Sequence, residues 1–132
     1  MAHKRVLYIS YDGLTDPLGQ SQIIPYLSGL SNKGYRITIL SNEKPQNYHE
    51  NKAVVEEKLE AANIQWKFTF YSNKPPVVST AFGVRRMRKM AFHLAKKQSF
   101  DIIHCRSILA TMVGDSVRKK LGGKLIFDIR GF

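Results

Sequence analysis

A chain of 132 residues, 43% hydrophobic and 23% charged, has the composition of an ordinary globular domain with one core. No apolar run is long enough to span a bilayer. The N-terminal MAHKR leads directly into an apolar segment without a signal sequence, and the single cysteine, Cys105, excludes an intrachain disulfide. A reducing, cytoplasmic home is the expectation. The formal net charge of +11 is the abnormal figure, and it is segregated. Ala61 through Phe100 hold no Asp or Glu, yet Lys67, Lys74, Arg85, Arg86, Arg88, Lys89, Lys96 and Lys97 fall there. A field of one sign attracts anionic lipid headgroups, nucleic acid or phosphorylated substrates; the alternative is a solvated basic helix face with no partner. No nucleic-acid motif accompanies the charge, so nucleic acid is not expected.

In chain order, Val6 to Ile9 is a short apolar run suited to a strand covered on both faces. Asp12-Gly13 breaks it, Pro17 and Gly19 follow, and Ile23, Ile24, Leu27 and Leu30 then recur at helical spacing. A strand feeding a glycine-bearing loop at a helix start can host an anion on free backbone N–H groups. Gly34 closes that helix in a left-handed cap, and Tyr35 to Leu40 reads as a second strand. Ser41 to Tyr48 has loop composition, and His49 to Asn63 carries Val54, Val55, Leu59 and Ala62 as an amphipathic helix. Ile64 to Tyr71 alternates, with Ile64, Trp66, Phe68 and Phe70 facing one way, as at a sheet edge.

The next helix runs roughly from Val78 to Gln98. Val84, Met87, Ala91, Leu94 and Ala95 lie on one arc, with Arg85, Arg86, Lys89, His93, Lys96 and Lys97 opposite and Phe82 and Phe92 at the margins. Asp101 to His104 is a short buried strand. Ser107 is read as the cap of a helix whose apolar positions are Ile108, Leu109, Met112, Val113 and Val117. Gly122-Gly123 ends it, and Lys124 to Ile129 is a fifth strand. Alternating strands and helices predict an α/β, Rossmann-like parallel sheet of about five strands in the order 3-2-1-4-5, with helices on both faces. A strand with no covering element after it suggests a fragment, truncated at its C-terminal edge.

In such sheets ligands bind outside the carboxyl ends of the strands, where strand order reverses. The candidates there are Asp12, Gly13, Gly19 and Gln20 in the first loop. Ser41, Asn42 and Glu43 follow strand two, His104 and Arg106 follow strand four, and Asp128 and Arg130 stand at strand five. Backbone donors, imidazole, guanidinium and carboxylate together suit an anionic, hydroxyl-rich ligand. Duller readings stand beside these: turn geometry for the glycines, a core role for His104, an ion pair between Asp128 and Arg130. No G-x-G-x-x-G, Walker A loop or G-x-S-x-G elbow occurs. His3, His49, His93 and His104 lack metal-ligand spacing, so no metal is expected.

Gly34 to Ile39 resembles the "G-H-x-V-x-V-x-T" strand of retaining family 4 glycosyltransferases. "DIIHCRS" is similar to their "D-x-[VI]-H-x-[HR]" segment, with His104 and Arg106 at its polar positions. "FDIRGF" is similar to a "D-x-R-G" variant after strand five. The first loop departs from the family's Gly-Gly pattern. The resemblance implies that residues 1–132 form the N-terminal, acceptor-side domain of a two-domain GT-B enzyme. Its C-terminal donor domain, with an E-x7-E glutamate pair, would be a missing partner, and the fragment would be inactive alone. The whole enzyme would move a hexosyl group from a nucleotide-sugar donor, its co-substrate, to a glycan or lipid-linked acceptor with retention, as in polysaccharide biosynthesis. No other cofactor and no catalytic residue follow. The basic helix, through Arg85, Arg86, Lys89, Lys96 and Lys97, would rest on the inner face of the cytoplasmic membrane. The competing expectation is a non-catalytic, flavodoxin-like binding module.

Overall fold

A computed structural model describes residues 4–71 and 76–128. Five parallel strands form one sheet: β1 (Arg5–Ser10), β2 (Arg36–Glu43), β3 (Gln65–Phe70), β4 (Ile102–Arg106) and β5 (Lys124–Asp128). Their order is β3-β2-β1-β4-β5, as the alternation predicts. The helices are α1 (Ile24–Asn32), entered through a π-helical turn at Gly19–Ile23, then α2 (Pro45–Ala61), α3 (Pro76–Lys97) and α4 (Ser107–Leu121). The chain moves outward from β1 to β3, then crosses back to place β4 beside β1. The reversal of strand order therefore falls between β1 and β4.

Strand periodicity divides the core into two layers. Leu7, Ile9, Leu40, Ile103 and Cys105 point to one face and pack with Met87, Ala91 and Leu94 of α3 and with Ala110, Val113 and Val117 of α4. Val6, Tyr8, Ile37 and Ile39 point to the other, against Ile23, Ile24 and Leu27 of the first helix and Val55 and Leu59 of α2. β1 is covered on both sides, which is why its sequence is continuously apolar. β3 is the outer strand, and Trp66, Phe68 and Phe70 share a half-buried face with Tyr48, their rings 4.6 to 5.8 Å apart between neighbours. α1 stops where Gly34 takes φ 100°, with its N–H bonded back to the Ser31 carbonyl at 3.0 Å.

Several expectations are corrected. The stretch from Ser41 is not a loop: Ser41, Asn42 and Glu43 continue β2, in register with Phe68, Thr69 and Phe70, and α2 begins at once with Pro45 in its first turn. Val54 is exposed, because α2 buries Tyr48, Val55 and Leu59 instead. β4 extends two residues past His104, so Cys105 and Arg106 belong to the strand. Ser107 does not cap α4. The strand joins the helix without a loop, Arg106 takes the cap position, and Ser107 is driven to φ 80°.

Within α4, Ile108 and Met112 are exposed while Ala110, Val113, Gly114 and Val117 are buried. Small residues win the inward arc because α4 lies very close to the sheet. A Cβ on Gly114 would collide with the Cys105 sulfur and stand 3.0 Å from Ile103 Cγ2. Gly114→Ala should therefore cost about 1–3 kcal/mol in urea denaturation, and less in a Cys105→Ala background. A coupling near zero would refute the close approach. Burial also pushes the Cys105 thiol from its ordinary 9.0 up to about 12. A pKa raised on folding contributes stability that is full below the unfolded value and is lost as pH climbs towards the folded one. Between pH 9 and 11, wild type should thus lose more stability than Cys105→Ala.

Candidate functional site

The loop after β1 is held by one buried side chain. Glu43, fully buried at the end of β2, accepts hydrogen bonds from Leu14 N–H at 2.8 Å, Thr15 N–H at 3.0 Å and Thr15 Oγ1 at 2.6 Å. Ser41 Oγ donates to the same carboxyl group. The anion predicted for this loop is thus supplied in part by the protein itself, and the Leu14 and Thr15 amides are occupied. Neither Gly13 nor Gly19 needs a positive φ; both are set by close approach. A Cβ on Gly13 would lie 2.7 Å from Glu43 Oε1, and one on Gly19 would run into the Gly13 carbonyl and stand 2.6 Å from Leu14 Cα. Asn42 is also buried and in the strand, accepting from Thr69 Oγ1 at 2.8 Å.

The π-helical turn follows directly. Ile24 N–H reaches back five residues to the Gly19 carbonyl. This turn carries Gln22, whose Oε1 accepts from Arg106 Nη2 at 3.3 Å, tying the helix start to the end of β4 across the strand-order reversal. Arg106 is itself 6% exposed. Two residues earlier on the same face, the His104 ring packs against Tyr8 and Tyr26, with ring centres 4.8 and 6.0 Å apart. Its Nε2 stands 3.6 Å from Asp128 Oδ2. The structure therefore gathers the helix start, Arg106, His104 and Asp128 on one face of the β1/β4/β5 edge. Gln22 and Tyr26 belong to that group and were missed by sequence reading, since both look like ordinary exposed helix positions.

The other candidates are arranged differently. Asp12 is exposed beyond β1. Beside it, the Tyr71 hydroxyl donates to the Tyr11 carbonyl at 3.0 Å. Burial, with Asp12 and Tyr11 adding to it, holds that phenol well above its usual range. Gln20 turns towards α2, and its Nε2 donates to the Thr15 carbonyl at 3.2 Å. It lines a polar cleft of about 560 Å³ with Ser21, Asn47, Glu50 and Asn51. Asn47 donates to Asp16 at 2.6 Å and Asn51 to the Thr15 carbonyl at 3.3 Å, so α2 also braces the loop. Arg130 lies outside the described residues. Among those residues, no three His, Cys, Asp or Glu side chains cluster as a metal would require.

No protein-family model matches the chain, and no curated protein sequence matches it. Solved structures do. The C-terminal domain of a hydrogenase from Pyrococcus furiosus superposes with a TM-score of 0.68 at 15% identity, over 96% of this chain and 90% of that one. A glycosyltransferase from Rickettsia africae gives 0.60 at 17% identity, over 96% of this chain and 30% of that one. MurG from Acinetobacter baumannii gives 0.59 at 16% identity, over 96% and 35%. The chain thus spans about a third of these two transferases, and the likeness is one of fold.

Removing the Glu43 carboxyl leaves buried donors unmatched, which fixes the expected cost. Glu43→Ala should lose about 3–5 kcal/mol in urea denaturation. Glu43→Gln should lose roughly 2 kcal/mol, because its amide nitrogen would face groups that already donate. A neutral Glu43→Ala would show that the loop is not held by this residue.

Proposed function

We propose that this domain is the acceptor side of a glycosyltransferase. It would work with a second, donor-binding lobe to move a sugar from a nucleotide-sugar donor to a glycan or lipid-linked acceptor, with retained configuration. The carrying observation is the placement of Arg106, fastened by Gln22 at the strand-order reversal with His104 and Asp128 on the same face. A nearly buried guanidinium beside hydrogen-bonding groups is suited to the charge that grows on a departing diphosphate, and its fixed position avoids reorganisation as the bond breaks. The fold's occurrence within the Rickettsia glycosyltransferase and MurG supports the reading. The cytoplasm is the proposed site of action.

In this reading Asp12 and the Gln20 side of the loop meet the acceptor, and Arg106 and His104 meet the donor phosphate and sugar from across the cleft. The committed carboxyl of Glu43 serves as a brace. Arg130, beyond the described residues, remains a proposed substrate-binding residue. A second reading is a ligand-binding module without catalysis, favoured by the match that covers nine-tenths of the hydrogenase domain's chain.

The test is a screen of nucleotide sugars for hydrolysis or transfer by the full-length protein. Turnover with one donor class is expected, with Arg106→Ala lowering kcat/KM by roughly 10²-fold or more. Gln22→Ala should lower it less, since the guanidinium survives. No turnover with any donor, together with tight binding of a small ligand by the 132-residue chain alone, would establish the second reading instead.

A further inference from the structure

α3 and α4 both run antiparallel to the strands they connect, so both begin at the carboxyl edge of the sheet and end at the opposite edge. They pack side by side on one face. Between them the two helices carry nine Lys and Arg residues and one acid, within a chain whose formal net charge is +11. That acid, Asp115, is engaged by Arg118 at 2.6 Å and Lys119 at 3.2 Å, and their hydrogen bonds lower its pKa. The distribution along the helices is uneven. Towards their starts, four large apolar side chains are exposed: Val78 (41%) and Phe82 (40%) on α3, Ile108 (59%) and Met112 (55%) on α4. Towards their ends the surface is basic apart from Leu121 (44%) at the last position of α4, and Arg88, Lys89 and Lys96 of α3 face Lys119 and Lys120 of α4 across a groove of about 650 Å³. Phe92 lines that groove, with Lys120 Nζ 5.8 Å from its ring centre.

We infer that this two-helix face docks on an anionic lipid bilayer, with the apolar helix starts entering the interface and the basic ends meeting phosphate headgroups. Each half alone has a simpler explanation, but their combination on one plane selects the partner. A soluble polyanion would match the lysines and arginines and leave the exposed apolar surface in water. A protein groove would match the apolar group and leave the cations unmatched. A bilayer interface accepts both, through apolar burial and through attraction of each cation to the negatively charged surface. Among the described residues no helix is long and apolar enough to cross a membrane, so this face is an interfacial contact. The apolar half lies at the carboxyl edge, the edge that bears Arg106 and Asp12. Docking would therefore bring the candidate site to the level of the lipid headgroups, which deepens the proposal of a lipid-linked acceptor and rests on it only for that consequence.

The experiment is co-sedimentation of the 132-residue chain with vesicles of phosphatidylcholine alone or with 30% phosphatidylglycerol. Binding to the anionic vesicles is expected, falling about tenfold or more between 0.1 and 0.5 M salt. Arg86→Glu/Lys89→Glu should weaken it at least about tenfold. Lys33→Glu/Lys52→Glu, which changes net charge equally on the opposite layer, should have a much smaller effect. Phe82→Ser/Met112→Ser should preserve the salt-sensitive part and abolish what remains at 0.5 M salt. Equal losses in the two charge-reversed variants would reduce the effect to net charge and overturn the inference. So would equal binding to neutral vesicles, or displacement of the bound protein by single-stranded RNA at stoichiometric amounts. Thermal melts of each variant exclude unfolding as the cause. Failure here with sugar transfer intact would leave the proposed reaction standing, and the converse would leave the docking face standing.

Discussion

The carboxyl edge of this sheet is organised by a buried carboxyl group that receives donors from a neighbouring loop. Glu43 gathers two backbone amides and two hydroxyls, and this has consequences on both sides of it. On its own strand it keeps β2 ordered up to the point where α2 starts. On the loop side it draws Leu14 and Thr15 into the core, so tightly that only glycine fits at positions 13 and 19. With the loop fixed, the helix opens on a wide turn, and Gln22 on that turn reaches Arg106. The guanidinium at the strand-order reversal is therefore positioned through a chain of contacts that begins two strands away.

The charge of the molecule is divided in the same way as its core. On the layer of α1 and α2, acids and bases are mixed and engaged with one another: Asp16 with Lys44, Asp128 with His104. On the layer of α3 and α4 the cations vastly outnumber the acids. A field of that kind acts over about a Debye length, roughly 8–10 Å at ordinary ionic strength, so it steers a surface or a large polyanion more than it tunes a small pocket on the far side of the sheet. In the proposed reading, recognition of a small ligand falls to the mixed layer, and long-range attraction to the basic one.

Strand identity, helix order and sheet order were legible because each rests on a local period and on the parallel topology that strand–helix alternation imposes. The inward placement of Met87, Ala91, Leu94, Val55 and Leu59 on their helices followed from the same periods. What sequence reading missed came from tertiary packing. Ser41 to Glu43 had the composition of a loop, yet they form a strand because β3 pairs with them and Glu43 finds three donors in the loop after β1. Ile108 and Met112 looked like core, yet Ala110 and Gly114 took the inward arc because Cys105 comes so close. The edge placement of Arg106 and His104 was legible from their position at the end of an apolar strand. Gln22 was not, since nothing in its neighbours announces a π turn. The glycines were recognised but their reason was not: close approach and positive φ leave the same letter in a sequence.

The arrangement also limits what chemistry this edge can contribute. A general base must have a lone pair open to the proton it takes. Glu43 has its oxygens filled by the loop. The Tyr71 phenol is held far above its usual range and donates inward to the Tyr11 carbonyl. The Cys105 thiol, on the opposite layer, is pushed up by burial and packed against Gly114. Among the described residues, the candidate groups left at the edge are a fixed cation in Arg106, the His104–Asp128 pair and the exposed Asp12. That set is better suited to holding charged and hydroxyl-bearing groups in position than to a chain of proton transfers. In the proposed reading, an edge of this composition would act by orientation and electrostatics, the share of a two-lobed transferase that one lobe can supply without its partner.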